Sequence, residues 1–183
     1  NSGMTHNYVY DIEVDASGVK WIASLGIFRF DDSTWTVYKN TSTGYIAWCN
    51  GIISDPDGTI WAGGNGGLFK YTSERFEQAD ISTNGFTTNN AFDIEFSVDS
   101  SLLIGSDKLI TFDGETWGTI SWSGGILPQP LDIELGPNGE LWLSNFDTLT
   151  LYYQGIWQFF SSQNSPIPEG YIYPMKVRDN GEV

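Results

Sequence analysis

The chain has one cysteine, one histidine and eight basic residues among 183. A lone thiol, Cys49, excludes an internal disulfide. With one His and one Cys on different stretches, no nucleophile and base can be paired, so the sequence reads as a non-enzyme that needs no cofactor. Eight Lys and Arg stand against 23 Asp and Glu, a formal net charge of -15. That balance repels phosphate backbones and excludes nucleic acid as a partner. Apolar runs of the roughly 18 to 20 residues that span a bilayer are missing too, and the first residues are polar, so neither a membrane segment nor a signal peptide is read within this stretch.

What the sequence has is aromatic residues and glycine: 11 Phe, 9 Tyr, 8 Trp and 21 Gly, with 40% hydrophobic residues overall. This composition favours a folded protein of strands and turns. The pattern repeats. Gly18 precedes Trp21, Gly58 precedes Trp61, Ser100 precedes Leu103 and Gly139 precedes Trp142, with Gly181 opening a fifth copy, at intervals of 40, 42, 39 and 42 residues. Such a period suits the blades of a propeller. In each copy a first strand such as Tyr10-Asp-Ile-Glu-Val14 alternates apolar and polar positions, as strands do. A turn follows, Asp55-Pro-Asp-Gly58 in the second copy, where glycine supplies the positive φ a tight hairpin requires. The third strand ends on Phe30, Tyr71, Phe112 or Tyr152, and a fourth begins at Trp35, Phe76, Trp117 or Trp157, five residues later in every copy. The sequence therefore predicts an all-β fold: a β-propeller segment of four complete four-stranded antiparallel blades plus the first strand of a fifth, with no helix. The blades fall at about 8–40, 48–81, 90–122 and 129–163, with a partial blade at 171–183. A lone blade has two apolar faces to cover, and stacking copies covers them. Trp21, Trp35, Trp61, Trp117, Trp142 and Trp157 are accordingly read as packing between blades.

The run Tyr8-Val-Tyr-Asp-Ile-Glu-Val-Asp-Ala-Ser-Gly-Val-Lys-Trp-Ile-Ala-Ser24 and the following Gly26-Ile-Phe-Arg-Phe-Asp-Asp-Ser-Thr-Trp-Thr-Val-Tyr38 resemble the two-component regulator propeller repeat, with its Asp-x-x-Gly-x-x-Trp core, Gly-Leu and an aromatic, then Trp and Tyr. The likeness covers the whole chain. It departs in the third copy, at Ser100 and Leu103, and in the fourth, where Thr148 stands in place of glycine. The resemblance implies a bacterial, periplasmic or extracellular binding module in the sensor region of a hybrid two-component histidine kinase. A secreted or cell-surface interaction protein is the second expectation. A propeller-type polysaccharide lyase is a minor third.

Two places are left for ligands. Three first strands share Asp-Ile-Glu, and their carboxylates, Asp11, Glu13, Asp93, Glu95, Asp132 and Glu134, are expected to line a central channel, solvated or holding calcium or another cation. One rim is expected to gather His6, Tyr8, Tyr45, Trp48, Asn65, Trp122 and Tyr171, aromatic planes beside amides that suit an oligosaccharide or a protein ligand. The turn Asp55–Gly58 lacks the distal ligands of an EF-hand, and Gly63–Gly67 lacks the Lys-Ser/Thr of a phosphate loop. Because the chain starts in an inter-blade loop and stops inside a fifth blade, the remaining blades of a parent chain, or a second copy, are expected as partners that cover the end blades.

Overall fold

The computed structural model describes residues 4, 7–39, 46–80, 90–122, 127, 129–178 and 180–183. Every regular element among them is a strand: β1 (Asp11–Val14), β2 (Lys20–Ser24), β3 (Gly26–Phe30), β4 (Trp35–Tyr38), β5 (Cys49–Ser54), β6 (Ile60–Gly64), β7 (Gly67–Thr72), β8 (Arg75–Gln78), β9 (Asp93–Phe96), β10 (Leu102–Gly105), β11 (Leu109–Phe112), β12 (Trp117–Ile120), β13 (Asp132–Leu135), β14 (Leu141–Ser144), β15 (Leu149–Tyr153) and β16 (Ile156–Phe160). They form four antiparallel sheets, β1-β2-β3-β4, β5-β6-β7-β8, β9-β10-β11-β12 and β13-β14-β15-β16. Each sheet is one blade of the repeat, since strands joined by short hairpins pair with their sequence neighbours. The chain divides into two compact units, Asn1–Ile94 and Glu95–Val183.

The glycine turns close the first hairpins as their spelling predicts. Gly58 donates its N–H to the Asp55 carbonyl at 2.8 Å with φ at +88°. The third copy makes the same turn without glycine: Ser100 takes φ +66° and donates to the Ser97 carbonyl at 2.9 Å. Its left-handed backbone carries a strain that Gly at this place would not.

In the first unit the core lies between blades 1 and 2. Trp21 of β2 is 3% exposed. It meets Tyr71 of β7 and Phe76 of β8 edge-on, with ring centroids 4.8 and 6.0 Å away. Ile27, Ile46, Cys49, Ile52 and Phe69 complete this cluster. Burial pushes the Cys49 thiol well above its ordinary pKa, which keeps it a small apolar filler. Gly63 marks a close approach: a Cβ there would lie 2.9 Å from the Ala91 Cβ and 3.0 Å from Ile94 Cγ2.

The second unit buries Leu103, Leu109, Leu127, Ile133, Leu141 and Leu143, with Trp122, Trp157 and Phe159 packed against them. The expectation that six tryptophans pack between blades needs correcting. Trp21 and Trp61 are buried, but Trp35 stacks on Phe30 of its own blade at 4.5 Å and Trp117 on Phe112 at 4.3 Å. The register explains this, because Phe30 pairs with Trp35, Phe112 with Trp117 and Tyr152 with Trp157 across one hairpin. The recurrent five-residue spacing is a cross-strand aromatic pair.

In the fifth copy, residues 171–177 lie where a first strand belongs. Met175 and Val177 are each 8% exposed, and Gly181 donates to the Arg178 carbonyl at 2.8 Å in the usual turn. Among the described residues of this stretch no strand pairing is present.

Candidate functional site

In β1 the Asp-Ile-Glu carboxylates do not stand opposite a buried apolar face, whereas Ile94 of β9 and Ile133 of β13 are buried. In β1 the apolar residues Ile12 and Val14 are 57% and 55% exposed, while Asp11 and Glu13 are half-buried. Both carboxylates turn towards blade 2. Asp11 Oδ2 accepts the Ile52 N–H at 2.9 Å, and Glu13 Oε1 accepts the Ser54 N–H at 3.0 Å as well as the Ser54 hydroxyl. The second unit repeats the arrangement. Asp132, 9% exposed, accepts the Met175 N–H, and Glu134 takes the Lys176 ammonium at 2.8 Å. Carboxylates two residues apart match amides two residues apart on the neighbouring first strand, since both advance by about 6.6 Å per pair. Blades are thereby stitched edge to edge by charge-assisted hydrogen bonds.

Asp93 and Glu95 fall in different units. Glu95 Oε1 accepts the Phe96 N–H at 2.8 Å, and Asp93 Oδ1 lies 3.0 Å from where a Cβ on Gly51 would sit. Among the described residues no three His, Cys, Asp or Glu side chains converge to hold a metal.

Of the expected rim residues, His6 and Tyr45 lie outside the described residues. In the first unit Tyr8 is 65% exposed and stacks on Tyr10 at 6.5 Å. Trp48, 48% exposed, sits beside Asn65, whose N–H donates to the Trp48 carbonyl at 2.7 Å. The β6–β7 turn and the start of the blade thus share one edge. In the second unit Trp122 is partly buried: it packs on Phe159 at 4.7 Å and against the core. Tyr171, 76% exposed, meets Phe146 of the β14–β15 loop at 5.1 Å, a pair that sequence reading missed. Thr148 belongs to that longer loop, where Asn145 Oδ1 accepts the N–H groups of Asp147 and Thr148.

A further concave feature of the first unit lies beside the β1–β2 turn. A cleft of about 590 Å³ between blades 1 and 2 is lined by Trp21, Arg29, Thr36, Tyr38, Tyr71 and Glu74, with Asp15 and Ser17 at its edge. The Tyr38 and Tyr71 hydroxyls are 3.2 Å apart. Burial, and then the hydrogen bond to Tyr71, pushes the Tyr38 pKa up, so it stays a neutral phenol. Arg29 donates to Asp31 at 2.8 Å and lies 5.9 Å from the Trp21 ring centroid. Its residues come from six places between positions 15 and 74, and no short motif announces them.

No protein-family model matches the sequence, and no curated protein matches it. Solved structures do resemble it. The extracellular domain of a protein described as a hybrid two component system of B. thetaiotaomicron is 20% identical, with a TM-score of 0.75 over 94% of this chain and 26% of that one. A second such extracellular domain from that organism is 16% identical, with a TM-score of 0.70 over 93% of this chain and 24% of its own. The chain is a β-propeller segment. It spans about a quarter of the length of those two domains. A gluconolactonase of Xanthomonas campestris shares the segment's fold at 13% identity, with a TM-score of 0.66 over 95% of this chain and 68% of the enzyme. The same blades therefore occur in sensors and in enzymes, and the fold alone does not decide between them.

Proposed function

We propose that this propeller segment is a non-catalytic recognition module in the extracytoplasmic sensor region of a hybrid two-component histidine kinase. The likeness over 94% of the chain to an extracellular domain of such a system carries the reading. The chemistry of the segment agrees with it. The thiol is buried and held protonated, and the β1 carboxylates Asp11 and Glu13 bind backbone amides of the next blade, a task of construction. Exposed aromatics at the rim, Trp48 in one unit and the Phe146–Tyr171 pair in the other, offer planes for an oligosaccharide or a protein.

The coding sequence on either side of this segment tests the reading directly. Further Asp-x-x-Gly-x-x-Trp copies, then a membrane helix and a histidine kinase, are the expected result. A cell-surface sorting domain downstream would instead make it a secreted interaction protein. Turnover of a polysaccharide or lactone by the purified chain would end the non-catalytic reading.

A further inference from the structure

The cleft between blades 1 and 2 carries an inference beyond the sensor reading. Its charges are spent unequally. Arg29 is paired with Asp31 at 2.8 Å. Asp15 is saturated: Oδ1 accepts the N–H groups of Ser17 and Val19 at 2.9 and 3.1 Å, and Oδ2 accepts Trp21 Nε1 at 2.8 Å. Glu74, also in the lining, makes no ion pair among the described residues. The uncommitted charge of the cleft is therefore a single carboxylate, beside two half-buried tyrosines.

The backbone that presents this carboxylate is strained. Ser73 and Glu74 form the two-residue loop between β7 and β8, with φ at +48° and +67°. The fourth blade builds the same loop from Gln154 and Gly155, at +49° and +80°. Glycine is the residue this second position favours, and here a glutamate occupies it at a conformational cost. Geometry alone does not explain that choice. At this strained position Glu74 lines the cleft together with Tyr38 and Tyr71.

We propose that this cleft binds a small organic cation, with Glu74 as the counter-ion and Tyr38 and Tyr71 as its aromatic and hydroxyl contacts. A carboxylate beside aromatic rings is the chemistry that selects an organic ammonium over a neutral molecule of the same shape. The chain's net charge of -15 draws cations towards it and repels anions. A cavity of about 590 Å³ falls among small-molecule sites.

The test uses the full chain, titrated with choline, n-butylammonium and spermidine at constant ionic strength. Tryptophan fluorescence and calorimetry follow binding; 3,3-dimethylbutan-1-ol, the neutral isostere of choline, and maltose serve as comparisons. At least one of the three cations should bind saturably, and choline, if it binds, should bind about tenfold more tightly than its isostere. Glu74→Gln should weaken cation binding about tenfold. Glu74→Gly should weaken it as much while leaving the melting temperature equal or higher, which separates lost recognition from lost folding. The proposal is overturned if none of the cations saturates, if Glu74→Gln binds like the parent, or if choline binds saturably but no better than the alcohol. Tighter binding of maltose than of every cation would also overturn it, in favour of a sugar site. None of these failures bears on the sensor reading, which rests on the likeness to an extracellular sensor domain and is tested by the flanking sequence.

Discussion

The first-strand carboxylates do the same work in both units but address different partners. In the first unit Asp11 and Glu13 both reach backbone amides, those of Ile52 and Ser54, with the Ser54 hydroxyl added. In the second, Asp132 again takes an amide, that of Met175, while Glu134 meets the side chain of Lys176. The aspartate position reads the backbone in each case, and any residue but proline can supply that donor. At the glutamate position the side chain of the neighbour matters. An Asp-x-Glu first strand thus accepts a general neighbour through its aspartate and adjusts to a particular one through its glutamate.

The aspartate should therefore matter most. Asp132→Ala leaves the Met175 N–H buried without its acceptor, which costs about 1.5–3 kcal/mol for a hydrogen bond to a charged group. Urea denaturation should show a lower midpoint, and amide exchange should locate the loss at Met175. Asp132→Asn keeps an acceptor and should recover most of it. If Ala and Asn behave alike and Met175 stays protected, the stitch contributes nothing and the comparison collapses. Asp11→Ala should act in the same direction through Ile52, by a smaller amount because Asp11 is less buried than Asp132.

Glu13→Gln sharpens the contrast with a milder change. The amide oxygen of Gln still accepts from the Ser54 N–H and hydroxyl, so only the charge assistance is lost, about 1 kcal/mol. Among the described residues the equivalent Glu134 meets the Lys176 ammonium and no backbone amide, and there Glu134→Gln should do less. Equal losses at the two positions would show that neighbour chemistry is irrelevant.

Much of the fold was legible because it is local. The Asp-x-x-Gly turn followed by an aromatic fixes each first hairpin, and the interval of about 40 residues repeats it. Even Ser100, which breaks the glycine rule, sits in a hairpin whose length enforces the turn. The direction of the carboxylates was not legible. Alternation in Asp11-Ile-Glu-Val14 says that two sets point apart, and in a blade both faces meet a neighbour, so period two cannot tell solvent from interface. Nothing in that alternation foretells that Glu13 reaches Ser54, 41 residues on. Tryptophan shows the same limit. Trp35 and Trp21 look alike in sequence, yet one completes a cross-strand pair and the other an inter-blade core. The cleft was the least visible, being assembled from strands and turns of two blades, with its key glutamate marked only by the glycine its counterpart loop carries.

The smallest effect belongs to the pair of Glu134 and Lys176, and its sign is definite. The Lys176 pKa is raised, first by the hydrogen bond to Glu134 and against a lesser desolvation cost. A raised folded-state pKa means stability that is fully present below the unfolded lysine value of about 10.4 and lost as pH rises through the folded value. The lysine side chain is 77% exposed, so solvent screens the pair and holds its worth to under about 1 kcal/mol. Lys176→Met should therefore lower the melting temperature slightly at neutral pH and low salt, with the difference fading at 1 M salt or once the pH rises through the lysine's raised folded-state value. Glu13→Gln, whose partner is a backbone amide that does not titrate, should keep its deficit under both conditions. A Lys176→Met deficit that survives alkali and salt would mean that Glu134 acts through something other than that ammonium, and the two units would then be stitched alike.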